Sequence, residues 1–418
     1  MAGTVHIIGA GLAGLAAAIR LTPSRRTIVV HEATAHPGGR CRSYFDRNIG
    51  MTIDNGNHLV LSGNRAVLGF ASAIGSVAGL VGPKDAEFTF VDLASNERWT
   101  LRINDGLPWW IFSANRRVPG TRLCEYVRLA KLLTVVSDTT VRQVVDCSGP
   151  LYHRLVQPLL LAALNIEPSE GSAGLAAAVV RETLGRGGKA CRPLVARQGL
   201  SSVFIEPAIR RLSECGGAVR LEHELRELRF IGDAVSELDF GSDIISLGAD
   251  DAVILAVPAH AAAAIVPDLQ TPRSYRAIVN AHFRLPVPPN IPPMIGVING
   301  TIEWIFAFDD RLSVTISSAD RLLDVPRSML AQSIWQEVSR ITGIAVMLPP
   351  WQIVRERRAT FAAIPEENAR RPATQTKWNN LFLAGDWTAT GLPATLESAV
   401  RSGIRAAELV GRNFKDAA

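Results

Sequence analysis

Lysine is scarce in this chain, five residues among 44 lysines and arginines, and the net charge is only +5. With no block of like charge and no nucleic-acid motif, DNA and RNA are excluded as partners; the mild arginine excess suits anionic lipid headgroups instead. Cysteine is sparse too. Cys41, Cys124, Cys147, Cys191 and Cys215 are odd in number and never spaced C-x-x-C. That excludes a disulfide framework and a zinc site, so no metal is expected and a reducing cytoplasm is the expected compartment. The first nineteen residues are apolar but lack a basic leader, and their glycines fall in a patterned turn, so they read as structure rather than signal. Long unbroken apolar runs are also missing. Residues 285–302 carry five prolines, and residues 252–267 are interrupted by Pro258 and His260, so any membrane contact is expected to be peripheral. No internal repeat or low-complexity tract appears.

What is present is a 418-residue chain with mean hydropathy +0.16, long enough for two domains and slightly greasy for a water-soluble enzyme. A short apolar run at 4–8 reads as a buried strand, 12–21 as a helix and 27–31 as a second strand, which makes a complete βαβ unit. Residues 38–62 are rich in Gly and Asn and read as loops against a ligand. Helices are expected at 122–136, 151–164, 203–212, 328–341 and 396–414. Strands are expected at 219–221, 252–257, 276–285, 305–308, 313–317 and 381–384, with a meander from 225 to 240. The expected fold is α/β: a Rossmann-like dinucleotide domain assembled from 1–75, 195–265 and 365–418, with a mixed α+β substrate domain from 76–194 and 266–364 inserted between its pieces.

The chemistry concentrates at the two ends of the chain. Gly9-Ala10-Gly11-Leu12-Ala13-Gly14 follows a strand and opens a helix. Gly9 permits the tight turn, Gly11 admits a pyrophosphate to the backbone, and Gly14 allows close helix–strand packing, while the first-turn amides of Leu12 and Ala13 face the phosphates. Glu32, followed by Ala33, ends the second strand where a ribose hydroxyl is expected. Further motifs favour FAD over NAD. Pro37-Gly38-Gly39-Arg40 offers a second glycine pair and a guanidinium for the diphosphate and flavin edge. Gly385 and Asp386 end a late strand, where the carboxylate can reach a ribitol hydroxyl. Ala394, Thr395 and Leu396 open the last helix, whose amides can face the pyrimidine side of an isoalloxazine.

These motifs, G-A-G-L-A-G, E-A-x-x-x-P-G-G-R and the terminal L-F-L-A-G-D-W with G-L-P-A-T-L-E-S-A, resemble the amine oxidase and phytoene desaturase flavoproteins over the whole chain. More narrowly, Gly39-Arg40-Cys41-Arg42-Ser43, Ile53-Asp54-Asn55-Gly56-Asn57-His58 and Arg355-Glu356-Arg357-Arg358-Ala359-Thr360-Phe361 resemble the hydroxysqualene dehydroxylase family. The resemblance implies FAD, a long apolar isoprenoid substrate and reductive loss of an allylic hydroxyl to give squalene for hopanoid synthesis. It also implies that Asn57 and His58 lie beside the flavin and that Leu225 meets adenine through its backbone.

Such a reaction requires a flavin, a weak acid and an apolar tunnel. His58 is the candidate acid; the competing reading is that it only hydrogen-bonds backbone or flavin. Asp54 reads as a turn-fixing residue and Cys41 as packing. Trp109-Trp110-Ile111-Phe112 reads either as a membrane-docking or tunnel-mouth element, since Trp favours bilayer interfaces, or as core. Three alternatives stay open: a carotenoid-type desaturase, an amine oxidase of the same superfamily, and a non-enzymatic prenyl-binding module. Intact flavin motifs at both ends oppose the last. Nothing in the sequence sets the oligomeric state.

Overall fold

The computed structural model describes residues 3–135 and 139–414. Its organising element is a five-stranded parallel sheet in the order Ala218–Arg220, Thr27–His31, Thr4–Ile8, Ala252–Leu255, Leu381–Leu383. The central strand, TVHII, is flanked in register by Thr27–His31 and Ala252–Leu255. A strand covered on both faces must be apolar throughout, and the four residues of Ala252–Leu255 are all fully buried. The helices Leu12–Leu21 and Leu396–Asn413 cover one face and pack on each other. Gly403 makes this possible, since a Cβ there would sit 2.1 Å from the Ala13 carbonyl oxygen.

A seven-stranded sheet forms the second layer, ordered Trp351–Phe361, Tyr275–Arg284, Arg311–Ile316, Trp304–Ala307, Met294–Ile298, Ala86–Asp92, Arg98–Ile103. Alternation along each strand sends side chains to two faces. On one face Phe283, Ile305 and Val314 pack against the helix Arg327–Thr342, with Phe283 and Trp335 rings 5.1 Å apart. On the other, Trp304, Phe306 and Phe361 join a helical lobe and the edge of the parallel sheet in one apolar cluster that also holds Trp387. The parallel sheet and the seven-stranded sheet therefore share a core.

Several expected elements differ in detail. Residues 38–62 are not all loop. Ser43–Asp46 and Met51–Asp54 form a hairpin, closed by Asp46 accepting the Asn48 and Ile49 amides through one carboxylate oxygen. The stretch expected as one helix at 122–136 is an α-helix Leu123–Leu129 followed by a 3₁₀ segment Ala130–Thr134, and its last residue lies outside the described residues. The helix expected at 151–164 widens into a π-helical turn at Tyr152–Val156 before Gln157–Leu164; the one expected at 203–212 has the same kind of turn, Ser201–Ile205, before Glu206–Glu214. In both, a proline (Pro158, Pro207) just after the wide turn lacks the N–H that would carry the normal ladder through it. The strands Ala86–Asp92, Arg98–Ile103 and Met294–Ile298 carry no alternation strong enough to read in isolation. They are stabilised by the sheet they join.

Candidate functional site

The N-terminal turn is built for an anion. Gly9 has φ +106°, and a Cβ on Gly14 would lie 2.0 Å from the Gly9 carbonyl oxygen, so neither position accepts a side chain. At Gly11, by contrast, a Cβ would meet nothing within 4 Å. That open space lies over the start of the Leu12–Leu21 helix, which has no side-chain cap and no acidic residue in its first turn. The amides of Leu12, Ala13 and Gly14 therefore have their positive end unneutralised by the chain, the condition for phosphate binding. Glu32 closes the turn: Oε2 accepts the Ala10 amide at 2.9 Å and Oε1 accepts from Thr34 N and Oγ1. A carboxylate has about four acceptor sites, so one remains for a ribose hydroxyl. Ala33 is exposed beside it. The amide of His223 donates to the Glu32 carbonyl, which brings the 222–225 turn, with buried Leu225, to the same end.

The second glycine pair seats directly on the first. Gly38 donates its amide to Ala10 O at 2.9 Å, and a Cβ on Gly39 would lie 3.7 Å from Gly11 Cα. Arg40 then points to the far end of the chain. Its Nη2 donates to Asp386 Oδ1 at 2.8 Å and its Nη1 to Ala359 O at 2.5 Å. The sequence named Arg40 and Asp386 separately, one for the diphosphate and one for a ribitol hydroxyl; the structure pairs them. Arg371, unnoticed in the sequence, donates to Asp386 O and Thr388 O and holds the loop that carries the carboxylate. The only available signal was an arginine shortly before the late strand.

Gly385 donates to Ser402 Oγ, Thr395 caps the last helix by accepting the Ser398 amide, and Ser398 Oγ donates to Asp386 O. The turn Ala394–Thr395–Leu396 is thereby set beside Asp386. Glu397, buried, accepts the Ala66 and Val67 amides and the Arg401 guanidinium, so the same turn also caps a helix, Arg65–Ala73, 330 residues away.

The 54–58 segment meets the seven-stranded sheet. Asp54 is a fixing residue, as its place in the turn suggested: Oδ1 accepts from Ser43 Oγ and the Leu200 amide. Asn57 Nδ2 donates to Val314 O at 3.2 Å and Thr315 Oγ1 at 3.1 Å, which ties the loop to the seven-stranded sheet. His58 lies near Arg40 and Asp386. Desolvation, then the Arg40 guanidinium, pull its pKa down to about 4, against a hydrogen bond to the Arg40 backbone. Glu303, overlooked in the sequence, is a partly buried acid just before the strand Trp304–Ala307. Its amide donates to Thr315 O, its Oε2 accepts the Ser317 amide, and burial lifts its pKa to about 7. Cys41 is buried, with its thiol pushed well above the usual range, in keeping with packing. Among the described residues no cluster of metal-ligating side chains forms, and no helix is long and apolar enough to cross a membrane.

Residues 12–411 match the family model for flavin containing amine oxidoreductases. Hydroxysqualene dehydroxylase of Rhodopseudomonas palustris is 60% identical over 98% of this chain and 99% of its own length. The protein of the same name from Zymomonas mobilis is 45% identical over 97% and 98%. Among solved structures, cyclohexylamine oxidase of Brevibacterium oxydans superposes with a TM-score of 0.74 at 16% identity, covering 99% of this chain and 100% of that one. An oxidoreductase of Methanosarcina mazei gives 0.71 at 13%, covering 97% and 100%. At such identities the solved structures speak for the fold; the full-length sequence matches go further, and the chain belongs to the flavin containing amine oxidoreductase family, in its hydroxysqualene dehydroxylase branch.

Proposed function

We infer that this chain is an FAD-dependent oxidoreductase that removes the allylic hydroxyl of hydroxysqualene reductively to give squalene. The observation that carries this reading is full-length 60% identity to a hydroxysqualene dehydroxylase, together with a complete dinucleotide cradle at Gly11, Glu32, Arg40 and Asp386. The cradle fits FAD: free first-turn amides and the space over Gly11 suit a diphosphate, and Glu32 keeps an acceptor for the ribose. When bound in its reduced form, FAD supplies the hydride that replaces the departing hydroxyl. We assign 1–75, 195–265 and 365–418 to the cofactor and 76–194 and 266–364 to the substrate.

The chain's own residues do the rest. An allylic C–O bond breaks readily because the cation is delocalised over the neighbouring alkene, but the hydroxyl must leave as water and so needs a proton. With a pKa of about 4, His58 is a neutral imidazole at pH 7. This favours the second reading of that residue, a hydrogen-bonding group that positions Arg40 and the cofactor edge. Glu303, its pKa lifted to about 7 by burial, joins the strand of Thr315, which Asn57 grips, through its backbone amide; we assign it as the proton reservoir. The apolar cluster from Trp304 and Phe306 to Trp387 keeps water from recapturing the cation. Given that greasy substrate, we also infer peripheral membrane contact.

The test is anaerobic incubation of the FAD-loaded protein, chemically reduced, with hydroxysqualene. Squalene is the expected product by mass spectrometry. A yellow protein that makes no squalene but oxidises an amine with release of hydrogen peroxide would reverse the assignment.

A further inference from the structure

The helical lobe on the substrate sheet has an exposed apolar tip. Leu107, Trp109 and Phe112 are 68, 64 and 59% exposed, and the Trp109 and Phe112 rings lie 5.8 Å apart. The tip is not a frayed end. Between its exposed residues, Trp110 is buried edge-on against Tyr126 at 5.4 Å, which anchors the turn to the Leu123–Leu129 helix. Asn104 fixes it from the other side, donating to Leu107 O and accepting the Trp110 amide, both at 2.8 Å. A rigid turn that buries one indole and holds the next one out in water is displaying it.

The charge around the tip has one sign in excess. Asn104 also lines a cleft of about 750 Å³ with Lys84, Arg102, Arg116, Lys189 and Arg192, five cations against three carboxylates, of which Glu87 is already paired to Arg102 at 2.7 Å. The lobe adds Arg128 and Lys131, with no ion pair among the described residues. Two of the chain's five lysines, Lys84 and Lys189, line this cleft. The inner side of the lobe, from Trp110 through Leu155 and Leu160, is continuous with the apolar cluster that reaches Trp304 and Trp387.

We propose that this tip docks on an anionic bilayer, with Leu107, Trp109 and Phe112 seated among the headgroups and the cleft cations against lipid phosphates. Indole rings prefer the bilayer interface, and basic side chains beside them add attraction to anionic lipid that salt screens. Docking in this pose sets the greasy lobe against the membrane, so a polyene passes into the protein without crossing water. The inference rests on the isoprenoid substrate proposed above, and its test is chosen to separate the two.

The FAD-loaded full chain is sedimented with phosphatidylcholine vesicles, with or without about one-third phosphatidylglycerol. Binding to the anionic vesicles is expected to be at least about tenfold tighter and to weaken with salt. Trp109→Ser with Phe112→Ser should cost at least about another tenfold, Arg116→Glu with Lys131→Glu should abolish the lipid preference, and Met347→Ser, at a 91% exposed residue elsewhere, should change nothing. Absence of wild-type binding, a Trp109/Phe112 variant that binds as wild type, or an equal loss from Met347→Ser overturns the proposal. Dehydroxylation is assayed in detergent micelles for every variant. Activity in micelles without vesicle binding faults the docking surface alone, whereas no activity in micelles faults the proposed function.

Discussion

At one end of the proposed cofactor site Glu32 reaches the Ala10 amide across 22 residues of sequence; at the other, Arg40 reaches Asp386 across 346 and Asn57 reaches Thr315 across 258. The first end is a βαβ unit that closes on itself, its geometry enforced by glycines that tolerate no Cβ. The second exists only once both halves of the molecule have assembled, because its carboxylate, guanidinium and loop arrive from three separated segments. The near end should therefore fail through backbone clashes, and the far end through lost partners.

The largest effect is expected at the near end. Gly14→Val places a Cβ against the Gly9 carbonyl at 2.0 Å and should destabilise the protein by about 3 kcal/mol or more, with no yellow protein recovered. Gly11→Val, where a Cβ meets nothing, should fold with an apoprotein Tm near wild type yet lose flavin at least about tenfold. Equal losses of Tm in the two variants would remove the distinction between packing and phosphate glycines. Next, Glu303→Gln should lower kcat by about a hundredfold with flavin content unchanged, read by steady-state assay and visible absorbance. Retained kcat would dismiss it as the proton reservoir.

Asp386→Ala tests the far end and should cost about 1–3 kcal/mol in urea unfolding. The figure is below that for a fully buried pair, because the Arg40 side chain is 40% exposed. Asp386→Asn, which keeps an acceptor, should recover part of it.

Each half also carries a buried neutral histidine, and pH compares them. Desolvation holds His31 in the parallel sheet and His282 in the seven-stranded sheet at pKa values of about 3, against 6.5 when unfolded. Below pH 6.5 the unfolded chain binds protons that the native one refuses, so stability is full above pH 6.5 and falls as pH drops toward 3. At pH 5.5 the loss should be about 1.4 kcal/mol per histidine, seen in urea midpoints. His31→Gln and His282→Gln should each flatten part of that slope. The smallest effect is expected from His58→Gln, about three- to tenfold in kcat/KM with the pH profile unmoved, as suits a neutral hydrogen-bonding group; a vanished pH limb would restore it as the acid.

Much of the near end was legible in the sequence. The strands Thr4–Ile8 and Thr27–His31 and the helix Leu12–Leu21 fall where their periodicity puts them, because each buries its own apolar residues against immediate neighbours. Asp54 was also readable, since a polar residue at a strand end has few roles. The Ser43–Asp54 hairpin, the strands Ala86–Asp92 and Met294–Ile298, and Arg371 were not. Sheet partners supply the stabilisation of those strands, and Arg371 acts through carbonyls 15 and 17 residues away. Trp109 was ambiguous for the same reason. Only packing decides which of two adjacent indoles is buried.

The sequence alone pointed to a dinucleotide cofactor and to the turn proposed to receive its phosphates, because glycine spacing and a strand–turn–helix junction are local properties of the backbone. It also set the chain's family, through motifs at both ends. Tertiary structure decided that Arg40 and Asp386 are partners, that burial lowers the pKa of His58 and raises that of Glu303, and that Trp109 faces water while Trp110 does not. Each of these is fixed by desolvation or by a charge brought close from elsewhere in the chain, and neither can be assigned to a residue until its surroundings have assembled.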